Sequence, residues 1–404
     1  MGRVRPRCAA KYKPVIFYQA FRLNILHVIP TLSPASGGPA EALRQLVRAY
    51  PEIGVQAEIV CQDEPNSPWL ANFAVPVHAL GGRRNTYGRS PLLRDWLTQN
   101  VTRFDGVVTH AVWIYSSLAA ARASRGRVPY AVFPHGMLDP WFGHRYPLKH
   151  LKKYLYWPIQ YPVLRHAKSV LFTSTLESEL APKSFWPNKW TSLVVPYGTN
   201  EPPSDTEAQR EAFQNLLPQL AGRRFLLFLS RIHEKKGCDL LVEAFASVAA
   251  QNPKVDLVIA GPDTNNLQAR LQALAQRLRI ADRIHWPGML TGDAKWGAFR
   301  ACDAMILPSH QENFGVVVAE ALACGRPALI SNQVNLWPQI EEDRIGLVEP
   351  DTLDGTRSLL TRWFTLSEAE KTAMAARTSG SFKERYSMKN CAVAIRDLFR
   401  NSNR

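Results

Sequence analysis

The chain has 404 residues, of which 46% are hydrophobic and 21% charged, and it carries 49 Lys+Arg against 34 Asp+Glu, a net charge of +15. That is longer than one hydrophobic core usually supports, and the composition excludes both a disordered chain and a disulfide-stapled miniature domain. The charge is uneven: residues 1–200 hold 24 Lys+Arg and 10 Asp+Glu, or +14, whereas residues 201–404 hold 25 and 24, or +1. A basic half asks for an anionic partner, whether nucleic acid, a membrane surface or a phosphorylated substrate, unless it serves solubility alone.

In chain order, residues 1–22 form a basic arm with Arg3, Arg5, Arg7, Lys11 and Lys13. The apolar run at 14–21 is short and broken by Gln19, so it reads as an arm before the first strand and not as a signal peptide. A membrane-contacting tail and an upstream start artefact are both compatible with it. Residues 22–30 read as a buried strand, 31–39 as a loop and 40–50 as a helix, with Leu43, Leu46 and Val47 on one face. Short apolar runs at 56–61, 106–109, 130–133, 169–173 and 192–195 continue the pattern, with helical segments between most of them. The rhythm restarts with strands at 225–229, 255–260, 284–286, 304–307 and 328–331 and helices at 237–252, 266–279, 294–302 and 316–324. Pro196, Gly198, Pro202 and Pro203 mark a linker between the halves.

This alternation predicts an α/β protein of two Rossmann-like doubly wound domains facing a central cleft. The expected divisions are the arm (1–22), a first domain (23–200), a second domain (201–380) and a closing helix (381–399, with the last residues to 404) that packs back on the first domain. The six cysteines, Cys8, Cys61, Cys238, Cys302, Cys324 and Cys391, include no C-x-x-C pair. Free buried thiols and a reducing, cytoplasmic compartment are expected. No run of 18 or more apolar residues is present.

Several segments bear chemistry. Gly37 and Gly38, between the first strand and helix, allow close backbone approach to a phosphate or sugar, a weak signal by itself. His135-Gly136 and Asp139 follow a strand end; Asp139 reads equally as an acceptor-site group or as a turn acid before Pro140. In residues 144–168, Leu148, Leu151, Leu155 and Ile159 recur at helical steps, among Lys149, Lys152, Lys153 and several aromatics. Such a helix lies on an anionic membrane, binds nucleic acid, or packs its leucines on the core. Arg231 and Lys236 sit in LSRIHEKKG after a strand, where two cations at a helix start favour an anion joining them. The strongest segment is ENFGVVVAE, from Glu312 to Glu320. It opens an apolar helix, with the amides of Asn313, Phe314, Gly315 and Val316 free to meet phosphate. Glu320 lies in an otherwise apolar stretch, where a charge needs a partner. No Asp-x-Asp metal motif stands at a strand end.

At ENFGVVVAE, preceded by Leu307-Pro308-Ser309 and followed by ALACGRPALIS, the sequence resembles the retaining glycosyltransferases of family 4, which have the GT-B fold. The resemblance covers nearly the whole chain after the arm. It implies that Glu312 faces the hydroxyls of a donor sugar, that Glu320 bonds the nucleotide ribose, and that the amides between them meet the diphosphate or sugar. Arg231 and Lys236 are implied to hold the diphosphate, whose charge grows as the glycosidic bond breaks. His135 is implied to contact the donor sugar, the loop at Gly261 to line the nucleotide side, and Pro287-Gly288-Met289 to surround the base. Tyr197 and Thr199 depart from the family's usual Pro-Asn-Gly-Val-Asp.

The expectation is therefore a cytoplasmic, membrane-peripheral enzyme. It would transfer a hexose from a nucleotide diphosphate sugar to a glycan or lipid-linked glycan, such as an exopolysaccharide or lipopolysaccharide, with retention. No cofactor, no metal and no nucleic-acid partner are expected. A nucleotide-sugar epimerase of the same fold and a degenerate scaffold in polysaccharide assembly are the alternatives.

Overall fold

A computed structural model describes residues 23–400 except 37, 84 and 264; the basic arm and Gly37 lie outside the described residues. The first sheet contains β1 (Leu23–Val28), β2 (Val55–Cys61), β3 (Val77–Ala79), β4 (Gly106–His110), β5 (Tyr130–Phe133), β6 (Ser169–Phe172) and β7 (Ser192–Val194). Its strand order is 3-2-1-4-5-6-7, parallel throughout. The second sheet contains β8 (Arg224–Leu229), β9 (Val255–Ala260), β10 (Ile284–Gly288), β11 (Ala304–Leu307), β12 (Ala328–Ser331) and β13 (Gly346–Glu349). Its order is 10-9-8-11-12-13, also parallel. Helices cover both faces, so β4, β5, β9, β11 and β12 are buried along their whole length.

In each sheet the strand order reverses once, between β1 and β4 and between β8 and β11. Ligand crevices of such sheets open beyond the carboxyl ends of the strands at that point. The loops after β1, β5, β8 and β11 carry Gly38, His135, Arg231, Lys236 and Glu312.

Two strands lie outside the predicted set. β3 has three residues and edges its sheet; β13 is the short run Gly346–Glu349. The closing segment also differs. In place of one helix over 381–399, the chain forms Glu368–Arg385 and then Met388–Arg400. The break is made by the linker. Thr199 donates its N–H to the Tyr386 carbonyl at 2.9 Å and accepts from the Met388 N–H at 3.1 Å. The last helix then returns to the first domain, where Phe399 lies over Gly106 and Lys389 pairs with Glu52 at 3.0 Å. The five described cysteines are all free and buried.

The helix Pro147–Arg165 turns its leucines outward. Leu148, Leu151, Leu155 and Ile159 are 77, 66, 78 and 46% exposed, while Trp157, Gln160, Val163 and Leu164 face the core. The core-facing alternative for that leucine row is overturned. Lys153 departs from its neighbours: it lies half-buried over the rings of Trp113 and Phe142, at 5.1 and 5.4 Å, and burial lowers its ammonium. Among the described residues no helix is long and apolar enough to cross a membrane.

The crossing of linker and closing segment leaves no room for a side chain at residue 198. A Cβ there would lie 1.6 Å from the Tyr386 carbonyl oxygen. Gly198→Ala is expected to cost about 3 kcal/mol by forcing two backbones apart. The urea midpoint should fall accordingly; an unchanged midpoint would show that the crossing yields freely.

Candidate active site

The second domain contributes a charged cluster built by two loops pressed together. After β8 the chain makes a tight turn, Glu234–Lys236, capped by His233, whose Nδ1 accepts from the Lys235 N–H at 3.0 Å. Gly237 ends the turn at φ +65°, and a Cβ there would lie 2.1 Å from the Pro308 carbonyl of the loop after β11. Only glycine permits this approach. The Lys235 carbonyl accepts from the Ser309 hydroxyl at 3.0 Å and from the His310 N–H at 2.9 Å.

This clamp sets Lys236, 5% exposed, in direct contact through its ammonium with Glu312 Oε2. Burial alone would raise the Glu312 carboxyl. Lys236, with Lys235 and Arg231, outweighs it and holds the group below its ordinary value. Lys235 itself is lowered to about 8, first by burial and then by Lys236. It lies over Trp141 and Phe142 of the first domain, at 5.5 and 5.2 Å from the ring centres. Arg231 is exposed and has no hydrogen-bond or ion-pair partner among the described residues.

Glu312 lies in the loop before the helix Val316–Ala323 and not on it. Gly315 caps that helix at φ +73°, and no side chain satisfies its first N–H groups. Phe314 is buried and meets Tyr197 edge-on at 5.1 Å. Glu320, 3% exposed, finds its partner in Lys295, whose ammonium donates at 2.7 Å. Burial still raises the Glu320 carboxyl against the pull of Lys295. Glu41 and Arg44 of the helix Gly38–Ala49 also act on Glu320 across the cleft. Gly38 opens that helix with clear space around it.

Gly261 has φ +147°, and a Cβ there would lie 1.8 Å from the Ser230 carbonyl. It supports the loop bearing Arg231. Pro287 and Gly288 end β10, and Met289 is 66% exposed just beyond.

The first domain contributes His135 at φ +51°, followed by Gly136 at φ +74°. The Gly136 N–H donates to Glu177 Oε1 at 2.7 Å, and Glu177 Oε2 accepts from the Thr173 N–H and hydroxyl at 2.8 and 2.7 Å. A Cβ on Gly136 would lie 2.7 Å from Asn313, so the turn touches the second domain directly. Two further ties cross the cleft. Asn313 Nδ2 donates to the Thr173 hydroxyl at 3.0 Å, and Gln311 Nε2 donates to Asp139 Oδ2 at 2.8 Å. Asp139 Oδ1 accepts from the Trp141 N–H at 2.8 Å. Both oxygens of Asp139 are thus engaged, one in the turn before Trp141 and one in a tie between the domains. Beside this cluster a cavity of about 760 Å³ separates the domains, lined by Trp141, Arg145, His233, Lys235, Arg270 and His310 among others.

The structure therefore brings together Arg231, Lys236 and Glu312, and places Glu320 about one turn along the helix that follows. His135 joins from the opposite domain through Gly136 and Asn313. Sequence reasoning missed Lys295 and Glu177. The charge of Glu320 in an apolar stretch demanded a partner, but Lys295 lies 25 residues away on another helix. Glu177 reads only as the end of a Ser174-capped turn. Among the described residues no three His, Cys, Asp or Glu side chains gather as metal ligands do.

Two doubly wound sheets with their switch points turned to one cleft define the GT-B class. The sequence comparisons agree. Residues 37–198 match the glycosyl transferase 4-like domain, and residues 209–375 match glycosyl transferases group 1. The chain belongs to the GT-B glycosyltransferases. It is 36% identical over 153 residues to a D-inositol 3-phosphate glycosyltransferase of Catenulispora acidiphila, covering 36% of this chain and 34% of that one. It is 32% identical over 203 residues to the corresponding Geodermatophilus obscurus enzyme, covering 47% and 44%. The chain thus matches less than half the length of these relatives. Its fold is that of Anabaena HepE, solved with UDP-glucose, at TM-score 0.73, 18% identity and 94% and 100% coverage of the two chains. Sucrose-phosphate synthase of Thermosynechococcus elongatus shares it at TM-score 0.71, 18% identity and 94% and 99% coverage.

Replacing Lys236 tests the electrostatics directly. In Lys236→Met the Glu312 carboxyl loses its closest cation while its burial remains, so its titration midpoint should move from below the ordinary 4.5 to above it. Carbonyl-labelled NMR would follow that titration. A midpoint that stays low would mean that Arg231 and Lys235 suffice.

Proposed function

We propose that the protein transfers a hexose from a UDP- or GDP-linked donor to a glycan or lipid-linked glycan, with retention of anomeric configuration and without a metal ion. The observation that carries this reading is the buried Lys236–Glu312 contact beside an unpaired Arg231, at the uncapped start of the helix Val316–Ala323. Arg231 and Lys236 supply fixed positive charge where a nucleoside diphosphate would leave, the work a divalent ion performs in other sites. The free amides at Gly315 and Val316 add to it. Glu312, kept ionised, accepts from sugar hydroxyls. Glu320, held by Lys295, accepts from adjacent ribose hydroxyls.

Transfer proceeds on one face of the sugar. The bond from the anomeric carbon to the diphosphate oxygen breaks, and the acceptor oxygen bonds to the same face. The acceptor proton passes to the departing phosphate oxygen. The relatives named above, including the UDP-glucose complex of HepE, support a nucleotide-sugar donor.

The acceptor side meets an anionic membrane at its cytoplasmic face. Four exposed aliphatic residues on one helix, flanked by exposed Lys149 and Lys152, support this. Lys153, committed to Trp113 and Phe142, takes no part.

Two measurements check the reading. In a screen of UDP- and GDP-sugars, at least one should raise the melting temperature and be turned over. Glu312→Ala and Lys236→Ala should each lower kcat/KM about 100-fold or more. Stabilisation by no donor would sink the site assignment, and epimerised sugar from donor alone would favour an epimerase. Separately, Leu148→Ser with Leu151→Ser and Leu155→Ser should abolish co-sedimentation with phosphatidylglycerol vesicles and leave donor stabilisation intact. Undiminished vesicle binding would refute the membrane assignment.

A further inference from the structure

Behind His135 runs a line of buried hydrogen bonds that the transfer reaction above does not use. The Tyr50 hydroxyl lies 3.0 Å from His27 Nε2, His27 Nδ1 lies 3.0 Å from His110 Nε2, and His110 Nδ1 lies 3.0 Å from His135 Nε2. The three imidazoles come from neighbouring strands: His27 from β1, His110 from the end of β4, and His135 from just past β5. The rings of His110 and His135 stack at 5.3 Å and 11°, and Phe133 stacks on His135 at 5.1 Å and 12°. Tyr50, His27 and His110 are wholly buried; His135, half-buried, is the end of the line nearest the cleft.

We propose that Tyr50, His27 and His110 form a directional wire that fixes His135 in the tautomer bearing its proton on Nδ1, so that this nitrogen donates a hydrogen bond to an oxygen of the bound sugar. The sugar contact rests on the donor-site reading above; the tautomer does not. The direction follows from counting protons. A neutral imidazole has one N–H and one lone-pair nitrogen, so in an unbranched line each ring's tautomer dictates the next. Burial keeps the rings neutral, pushing His27 and His135 down to about 3 and His110 well below its ordinary value.

The tyrosine end decides which way the line runs. Among the described residues the Tyr50 hydroxyl has one hydrogen-bond partner, His27 Nε2. If it accepted from His27, its own proton would be buried without an acceptor, which is the costly arrangement. It therefore donates. His27 then carries its proton on Nδ1 and donates to His110, and His110 carries its proton on Nδ1 and donates to His135 Nε2. The proton of His135 is left on Nδ1, which has no partner among the described residues. The Glu177 bond to the Gly136 N–H holds the turn in place.

A group so fixed donates and does not accept. His135 is thereby excluded as the base for the acceptor hydroxyl, which leaves that proton to the diphosphate. Tyr50, His27 and His110 are positioning residues, since none is exposed to the cleft.

The test reads the tautomer in the full chain. With ¹⁵N-histidine labelling and long-range ¹H–¹⁵N correlation, His135 should show a protonated Nδ1 and a bare Nε2, unchanged between pH 8 and pH 5. A proton on Nε2 overturns the proposal outright, and so does titration of His135 within that range. Tyr50→Phe removes the O–H that directs the line; His135 should then populate both tautomers and kcat/KM should fall about tenfold, while calorimetric binding of UDP or GDP stays unchanged. A Tyr50→Phe protein with an unaltered His135 tautomer and full turnover also overturns it. Should that variant fold poorly, the wild-type tautomer decides alone. Absence of UDP and GDP binding counts against the donor-site reading only.

Discussion

The structure turns on one close approach: Gly237 against the carbonyl of Pro308. It joins the loops after β8 and β11, the two strands at the switch point of the second sheet. The charged cluster around Lys236 follows. The clamp buries Lys236, and a buried ammonium needs a carboxylate, which Glu312 supplies from the facing loop. With Lys236 occupied, Arg231 stays outside as an exposed cation. Glu312, pulled back toward Lys236, leaves the helix start at Val316 free of any side-chain cap. The same loop sends Gln311 and Asn313 across the cleft to Asp139 and Thr173. One glycine contact thus sets the charge pattern of the crevice and its attachment to the opposite domain.

The parts legible in the sequence are those governed by local pattern. Parallel strands buried on both faces are continuous apolar runs, which is why 130–133, 255–260, 304–307 and 328–331 coincide with β5, β9, β11 and β12. β3 has only three residues, none fully buried, and β13 reads GLVE, apolar at its two central positions alone, so neither makes such a run. The end of the helix at Arg385 is invisible locally because its cause, Thr199, lies almost 190 residues earlier. The site divides in the same way. Arg231, Lys236, Glu312 and Glu320 sit in motifs with recognisable spacing. Lys295, Glu177, His27 and His110 do not, because the sheet order and helix packing alone bring them to their partners. The departures at Tyr197 and Thr199 prove to make contacts of another kind, Tyr197 between the domains and Thr199 within the first. Tyr197 packs between His135 and Phe314, and the Thr199 hydroxyl donates to Gln45 at 2.7 Å.

The uneven charge has a corresponding division in the fold. The second sheet's domain is close to neutral, and its buried carboxylates each meet a cation: Glu312 meets Lys236, Glu320 meets Lys295, and Asp256 meets Arg223 and Arg283. The first domain has a large excess of cations, many on its surface. Where one of them turns inward, as Lys153 does, aromatic faces replace the missing carboxylate. The surplus therefore remains outside, beside leucines that none of the described residues covers.

Burying three imidazoles in the strand layer of a sheet is an unusual use of space, since each must find two partners away from water. The arrangement here meets that demand with a single file, in which each ring satisfies the next and the last nitrogen reaches the cleft. A single histidine at that position would exchange tautomers freely and titrate near neutrality. Burial removes the titration, and the chain of partners removes the exchange. What remains at the cleft is a neutral donor of fixed direction. Beside it, on the opposite wall, stands a carboxylate of fixed charge, held ionised by Lys236. One wall donates and the other accepts, and both polarities are set before any ligand enters. That is the form of preorganisation that lets a site recognise a polyhydroxylated ring, whose hydroxyls each donate and accept, in one orientation.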